Sequence, residues 1–187
     1  LYRMQGEDFR QVFGVTGTTR PDVLPTRMES IRLDRLVHRT PQDLRLRART
    51  LLARHLARRP RDNPVNRFAQ RLNADAVALA TNGVPHFHAW AFVMVRLLGS
   101  AFELGASHLR WQIAQPGGAP DREAFEAAAA AFDRVEAGAK TIIMKGARAV
   151  FARKQMQVDT TLAEMAGAWD EGMRVLEQRL VNQGDTA

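Results

Sequence analysis

Apolar residues fall at helical spacing through most of this chain. Between Thr40 and Pro60, Leu44, Leu51, Leu52 and Leu56 form the apolar side of a first helix, and Arg45, Arg47, Arg49 and Arg54 are expected on its solvated side. Thr40-Pro41-Gln42-Asp43 supplies a capping hydroxyl, a proline at the first helical position and an acid in the first turn. Asp62-Asn63-Pro64 opens a second helix in the same way, with Phe68, Leu72, Ala76 and Leu79 as its stripe and Asn82-Gly83 as its stop. Pro85 begins a long run to Gln112 with few polar positions, roughly 40 Å of helix at 1.5 Å per residue. A helix this apolar is expected to be enclosed by its neighbours. After a loop at Gln115–Pro120, Asp121 begins a fourth helix that turns Phe125, Ala128, Phe132, Val135, Ala139, Ile142, Ile143 and Val150 inward. Gly138 and Gly146 inside it point to close packing or a kink. Thr161-Leu162-Ala163-Glu164 reads as a capping box for the last helix, which carries Met165, Trp169, Met173, Leu176 and Leu180 and stops at Asn182-Gln183-Gly184.

The first part of the chain has a different texture. Gly6, Gly14, Gly17, Pro21 and Pro25 interrupt residues 1–27, which read as irregular or extended. Over 28–37, Ile31 and Leu33 alternate with Arg32 and Asp34, the pattern of a short strand that needs a partner. The fold expected is therefore mainly α: an extended arm with one short strand over 1–39, alternatively the remainder of an upstream domain, and an antiparallel bundle of about five helices over 40–183.

Composition adds bounds. The 187 residues are 45% apolar and 25% charged, enough to bury one sizeable core. The absence of cysteine excludes a disulfide, a thiolate metal site or a cysteine nucleophile within these residues. There is no uninterrupted apolar run near 18 residues and no basic leader, so neither a membrane span nor a secretory signal is expected, and the default location is cytoplasmic. The net charge of +7 is concentrated. Residues 32–71 hold twelve arginines against three aspartates, a field that attracts anionic partners. Arg45, Arg49, Arg54, Arg58 and Arg59 are the candidate anion-docking residues, although a sequence rich in arginine throughout gives such a face without any function.

The long apolar helix carries the candidate ligand site. Arg96, Glu103 and Arg110 repeat every seven residues on nearly one stripe, with Ser100 and Ser107 close by. They read either as a polar pocket for a small charged ligand or as a structural Arg–Glu pair that fixes helix register. His86 and His88, two residues apart, point to opposite sides of a helix and lack a third ligand at metal spacing, so no metal site is expected; they are placed at the mouth of the helix. His108, Arg110 and Trp111 gather an imidazole, a planar cation and an indole at the helix end, an arrangement that suits either recognition or a packing plug. Phe13-Gly14-Val15-Thr16-Gly17 lacks the Gly-Lys-Ser/Thr ending of a phosphate loop.

Five phrases together carry a family resemblance: 1–9 (LYRMQGEDF), 29–36 (ESIRLDRL), 52–68 (LARHLARRPRDNPVNRF), 86–92 (HFHAWAF) and 98–111 (LGSAFELGASHLRW). They resemble an uncharacterised bacterial family about twice this length, associated with amino acid:carrier-protein ligases and related in turn to butirosin-type carrier-protein acyltransferases. The resemblance implies that this chain is the C-terminal half, with any cysteine nucleophile of an acyltransferase lying outside it. It further implies no directly bound cofactor, a phosphopantetheine arm presented by an acidic carrier protein, and a helical part that docks substrate or carrier. The N-terminal half of the same product, or a homodimer mate, is a further implied partner. An arginine-rich nucleic-acid-binding or regulatory protein is the competing reading, against which stand the lack of a helix-turn-helix and Phe68 as the one aromatic among residues 32–71.

Overall fold

The computed structural model describes residues 32–180. Five helices account for nearly all of them: α1 (Pro41–Ala57), α2 (Pro64–Thr81), α3 (Gly83–Ala114), α4 (Arg122–Phe151) and α5 (Asp159–Leu180). The mainly helical bundle is as the apolar spacing requires. The readings of residues 1–27, the start of the strand through Ile31 and the stop at Asn182–Gly184 lie outside the described residues. Where the second half of the strand was expected, Leu33–Arg35 form a single 3-10 turn, with Arg32 paired to Asp34 at 2.7 Å.

The helix starts follow their local chemistry. Thr40 Oγ1 accepts from the Asp43 amide at 3.1 Å, and Asn63 Oδ1 accepts from the Val65 amide at 2.9 Å. The last helix begins three residues earlier than a capping box at Thr161 implies, at Asp159. Thr161 is buried in its first turn, where its hydroxyl accepts from Lys145 Nζ at 3.4 Å instead of capping the backbone.

α4 is the centre of the bundle. It packs antiparallel against α3 on one side and α5 on the other, and all of its expected inward residues are buried except Ile143, which is half-buried. Glycines let the helices approach. A Cβ on Gly138 would stand 2.3 Å from Met165 Cγ, and one on Gly146 would stand 2.4 Å from Phe87 Cζ. Both glycines therefore mark close packing, and α4 runs through them as one helix.

α3 departs from expectation. It continues through a π-helical turn at Phe92–Arg96, and by length and composition it is apolar enough to cross a membrane. It is not enclosed. Val95, Gly99, Ala106, Leu109 and Ile113 are buried against α4, whereas Val93, Leu97 and Leu104 on the opposite stripe are 56%, 63% and 70% exposed. The run is apolar because one face is core and the other is a bare apolar surface, not because neighbours surround it.

Candidate functional site

α1 is rotated relative to its leucine pattern. Arg45, Arg49, Leu52 and Leu56 share the stripe that faces the bundle, at i, i+4, i+7 and i+11, while Leu44 and Leu51 are exposed. The rotation has a cause on the facing side. Asp121, at the start of α4, presents a carboxylate that is 4% exposed to three guanidinium groups. Arg45 Nη1 donates to it at 3.3 Å, Arg49 Nε at 3.1 Å and Arg179 Nε at 2.7 Å. Arg45 Nε also donates to the Pro116 carbonyl at 3.2 Å, and Arg179 Nη2 to the Pro120 carbonyl at 2.7 Å. Burial of Asp121 raises its pKa, but the hydrogen bonds and positive charges of Arg49 and Arg179 together outweigh that, and the carboxyl lies below its ordinary value. This hub was invisible in the sequence because its partners stand 58 to 76 residues from Asp121.

Arg45 is therefore corrected as an anion-docking residue: it is buried and committed to Asp121. Arg49 shares that carboxylate, and Arg59 is engaged by Glu177 at 2.7 Å. Arg54 and Arg58 remain exposed and form no ion pair among the described residues. Arg54 lies with Arg47 on the outer stripe of α1 and Arg58 follows its last turn; Arg39, Asp43, Leu46, Arg47, Leu51 and Arg54 line a groove of about 510 Å³, so four residues of the groove are charged and one of them is an acid.

The polar residues of α3 do not gather in one pocket. Arg96 and Glu103 border a cleft of about 310 Å³ between α3 and α4, together with Ser100, Glu136 and Lys140. Both are exposed, so the second of the two readings, a structural Arg–Glu pair inside the bundle, does not describe them. The Arg96 guanidinium sits 5.2 Å from the centroid of the Phe92 ring. Lys140 pairs with Glu136; that hydrogen bond raises its pKa, and the charges of Glu136 and then Glu103 add to the rise. Arg110 points elsewhere, to Glu126 at 3.1 Å and Asp133 at 2.6 Å, and these two acceptors raise its pKa further. The cleft thus presents both signs of charge and a hydroxyl over a small apolar floor, which suits a small ligand bearing both charges.

His108 and Trp111 stack with ring centroids 5.7 Å apart. The buried Gln112 amide lies 3.0 Å from His108 Nε2, and burial lowers the imidazole pKa, so the ring is neutral near pH 7 and that nitrogen accepts. His86 and His88 are exposed at the other end of α3, apart from both the cleft and His108. No group of three or more His, Asp or Glu able to hold a metal ion occurs among the described residues.

No curated protein and no solved structure matches the chain. The sequence model of the DUF1839 C-terminal domain matches residues 41–178, α1 to within the last turn of α5, and so covers the bundle just described. On that match the chain belongs to this domain-of-unknown-function family.

Proposed function

We propose that the domain is a docking module for an acidic protein partner, and that the partner is a carrier protein presenting a phosphopantetheine arm. The observation that carries the reading is the outer stripe of α1, where Arg47, Leu51 and Arg54 follow one another at i, i+4 and i+7 and Arg58 follows the last turn. Leu51 is 52% exposed and Leu46 is 48% exposed beside these cations. A basic and apolar strip of this kind complements a helix that bears carboxylates around an apolar anchor: the charges steer the encounter and the leucines supply contact area. An arginine fork is suited to the phosphate of the arm. In this reading the charged cleft between α3 and α4, with Arg96 and Glu103, receives the small group that the arm carries. Acyl or aminoacyl transfer itself belongs to a nucleophile outside this chain, and the cysteine-free composition fits a reducing, cytoplasmic setting.

The test is calorimetric titration of the full chain with an acidic carrier protein, with and without its phosphopantetheine group. Saturable binding that weakens at least tenfold in an Arg47→Glu, Arg54→Glu variant supports the proposal. Duplex DNA or single-stranded RNA is titrated in parallel. Nucleic-acid binding that falls steeply with salt, together with no carrier binding, overturns it in favour of a nucleic-acid-binding role.

A further inference from the structure

We propose that the concavity at the α4–α5 corner binds a small phosphate ester or diphosphate, held by Lys145, Arg148 and Lys154. The concavity measures about 600 Å³, and its lining joins these three cations to the amides of Gln155 and Gln157 over an alanine floor; no carboxylate lines it. This is a different site from the α1 groove. Arg148 lies 27 residues along the chain from Asp121, about 40 Å of helix, so the two surfaces occupy opposite ends of α4.

The chain path builds the site. Lys145, Arg148, Ala149 and Ala152 recur at i, i+3, i+4 and i+7 on one face of the end of α4. The backbone then reverses at Arg153, whose φ of 53° is left-handed, and the Lys154 amide donates back to the Ala149 carbonyl at 2.8 Å. The reversal brings Lys154, Gln155 and Gln157 back to the concavity that Lys145 and Arg148 border. Alanines at the floor leave room for a ligand that longer side chains would fill.

Complementing the helix dipole accounts for part of this charge. One cation in the last turn answers the partial negative end of α4, and Arg148 supplies it. Lys145, nearly a turn earlier, and Lys154, beyond the helix, exceed that need. Among the described residues Arg148 and Lys154 form no ion pair, and Lys145 Nζ has the Thr161 hydroxyl, at 3.4 Å, as its one hydrogen-bond partner. The choice of residue also matters: the chain has only three lysines, at 140, 145 and 154, and two of them stand here. Lysine offers a compact charge with three donors, arginine a planar fork, and glutamine neutral donors, a set that matches the non-bridging oxygens of a phosphate.

The probe is inorganic pyrophosphate, titrated calorimetrically into the full chain at low ionic strength, with acetate as a singly charged control. Saturable one-to-one binding is expected, with at least tenfold weaker binding in Arg148→Ala, Lys154→Ala and nearly unchanged binding in Lys154→Arg. Arg47→Ala, Arg54→Ala on α1 is expected to bind as the parent does. Each variant is first shown to melt cooperatively, so that a folding defect is not read as lost binding. The proposal is overturned if pyrophosphate gives no saturable signal, if the corner variant binds as well as the parent, or if the α1 variant loses as much. Binding to vesicles containing phosphoinositide without binding to free pyrophosphate overturns it as well and assigns the corner to a lipid surface.

Discussion

Arg179 Nε donates to Asp121 Oδ1 over 2.7 Å, joining the last turn of α5 to the residue that precedes α4. The same carboxylate takes Arg45 and Arg49 from α1, so one buried anion fastens three helices at one end of the bundle. Asp121→Asn keeps the shape but leaves the Arg45 side chain, 10% exposed, without its counter-charge. The full cost of breaking a buried pair is about 3–5 kcal/mol. Arg49 and Arg179 are 30% and 20% exposed, so water offsets part of the loss and the lower end of that range is expected. Urea denaturation measures it; an unchanged midpoint would show that the hub does not hold the helices.

The same group sets a pH dependence. Asp121 has a folded pKa below its unfolded value near 3.9. Its contribution is therefore present in full above about pH 4 and is lost as pH falls through the folded value. His108 acts at higher pH with the same sign. Its pKa is lowered by burial, so its contribution is complete above about 6.5 and declines as pH falls below that value. Melting temperature is expected to fall in two steps on acidification, with the lower step removed by Asp121→Asn and the upper by His108→Gln.

Local chemistry was legible in the sequence and long-range pairing was not. The Thr40 and Asn63 caps involve residues two or three apart, and both are present. The inward stripe of α4 was also readable, because Phe125 through Val150 repeat over seven turns and noise averages out. α1 was misphased because Leu44 and Leu51 suggested a face, while Arg45 and Arg49 were drawn inward by an aspartate more than 70 residues away. Hydrophobic spacing carries no record of such a partner. For α3, an apolar run does not say whether both faces are covered, and Leu97 and Leu104 are bare. Of the candidate site, Arg96 and Glu103 share a cleft, whereas Arg110, His86 and His88 point to other surroundings.

Gly146→Ala tests the helix approach at the other end of α4. The added Cβ would stand 2.4 Å from Phe87 Cζ, and the Phe87 ring is fully buried with Trp90 5.7 Å away. A rigid ring in a filled site cannot yield as a flexible side chain would, so overpacking is expected to cost about 1–3 kcal/mol. Calorimetric melting would show a drop of several degrees; a variant that melts with the parent would mean that the ring has space to move.

Glu103→Ala gives the opposite expectation. Had this carboxylate been paired inside the bundle, its removal would have cost several kcal/mol. It is exposed at the cleft beside Lys140, which Glu136 already neutralises. A change below about 0.5 kcal/mol is expected. A larger loss by urea titration would return Glu103 to a structural role.

Arg153→Gly is expected to stabilise the protein. A non-glycine residue in the left-handed region costs about 1 kcal/mol, and Arg153, at a φ of 53°, is the one such residue among those described. The closing hydrogen bonds of the corner, from the Arg153 amide to Val150 at 3.2 Å and from the Lys154 amide to Ala149 at 2.8 Å, use backbone atoms that glycine retains. Gly should therefore gain about 1 kcal/mol over Ala at this position, which corresponds to roughly 2–4 °C in a protein of this size. Comparing the two variants with each other removes the effect of losing the guanidinium. Because Arg153 is not one of the three cations of the corner site, pyrophosphate binding should survive in both. Equal melting of the Gly and Ala variants would mean that the turn carries no left-handed strain, and loss of binding in both would place the Arg153 guanidinium in the site.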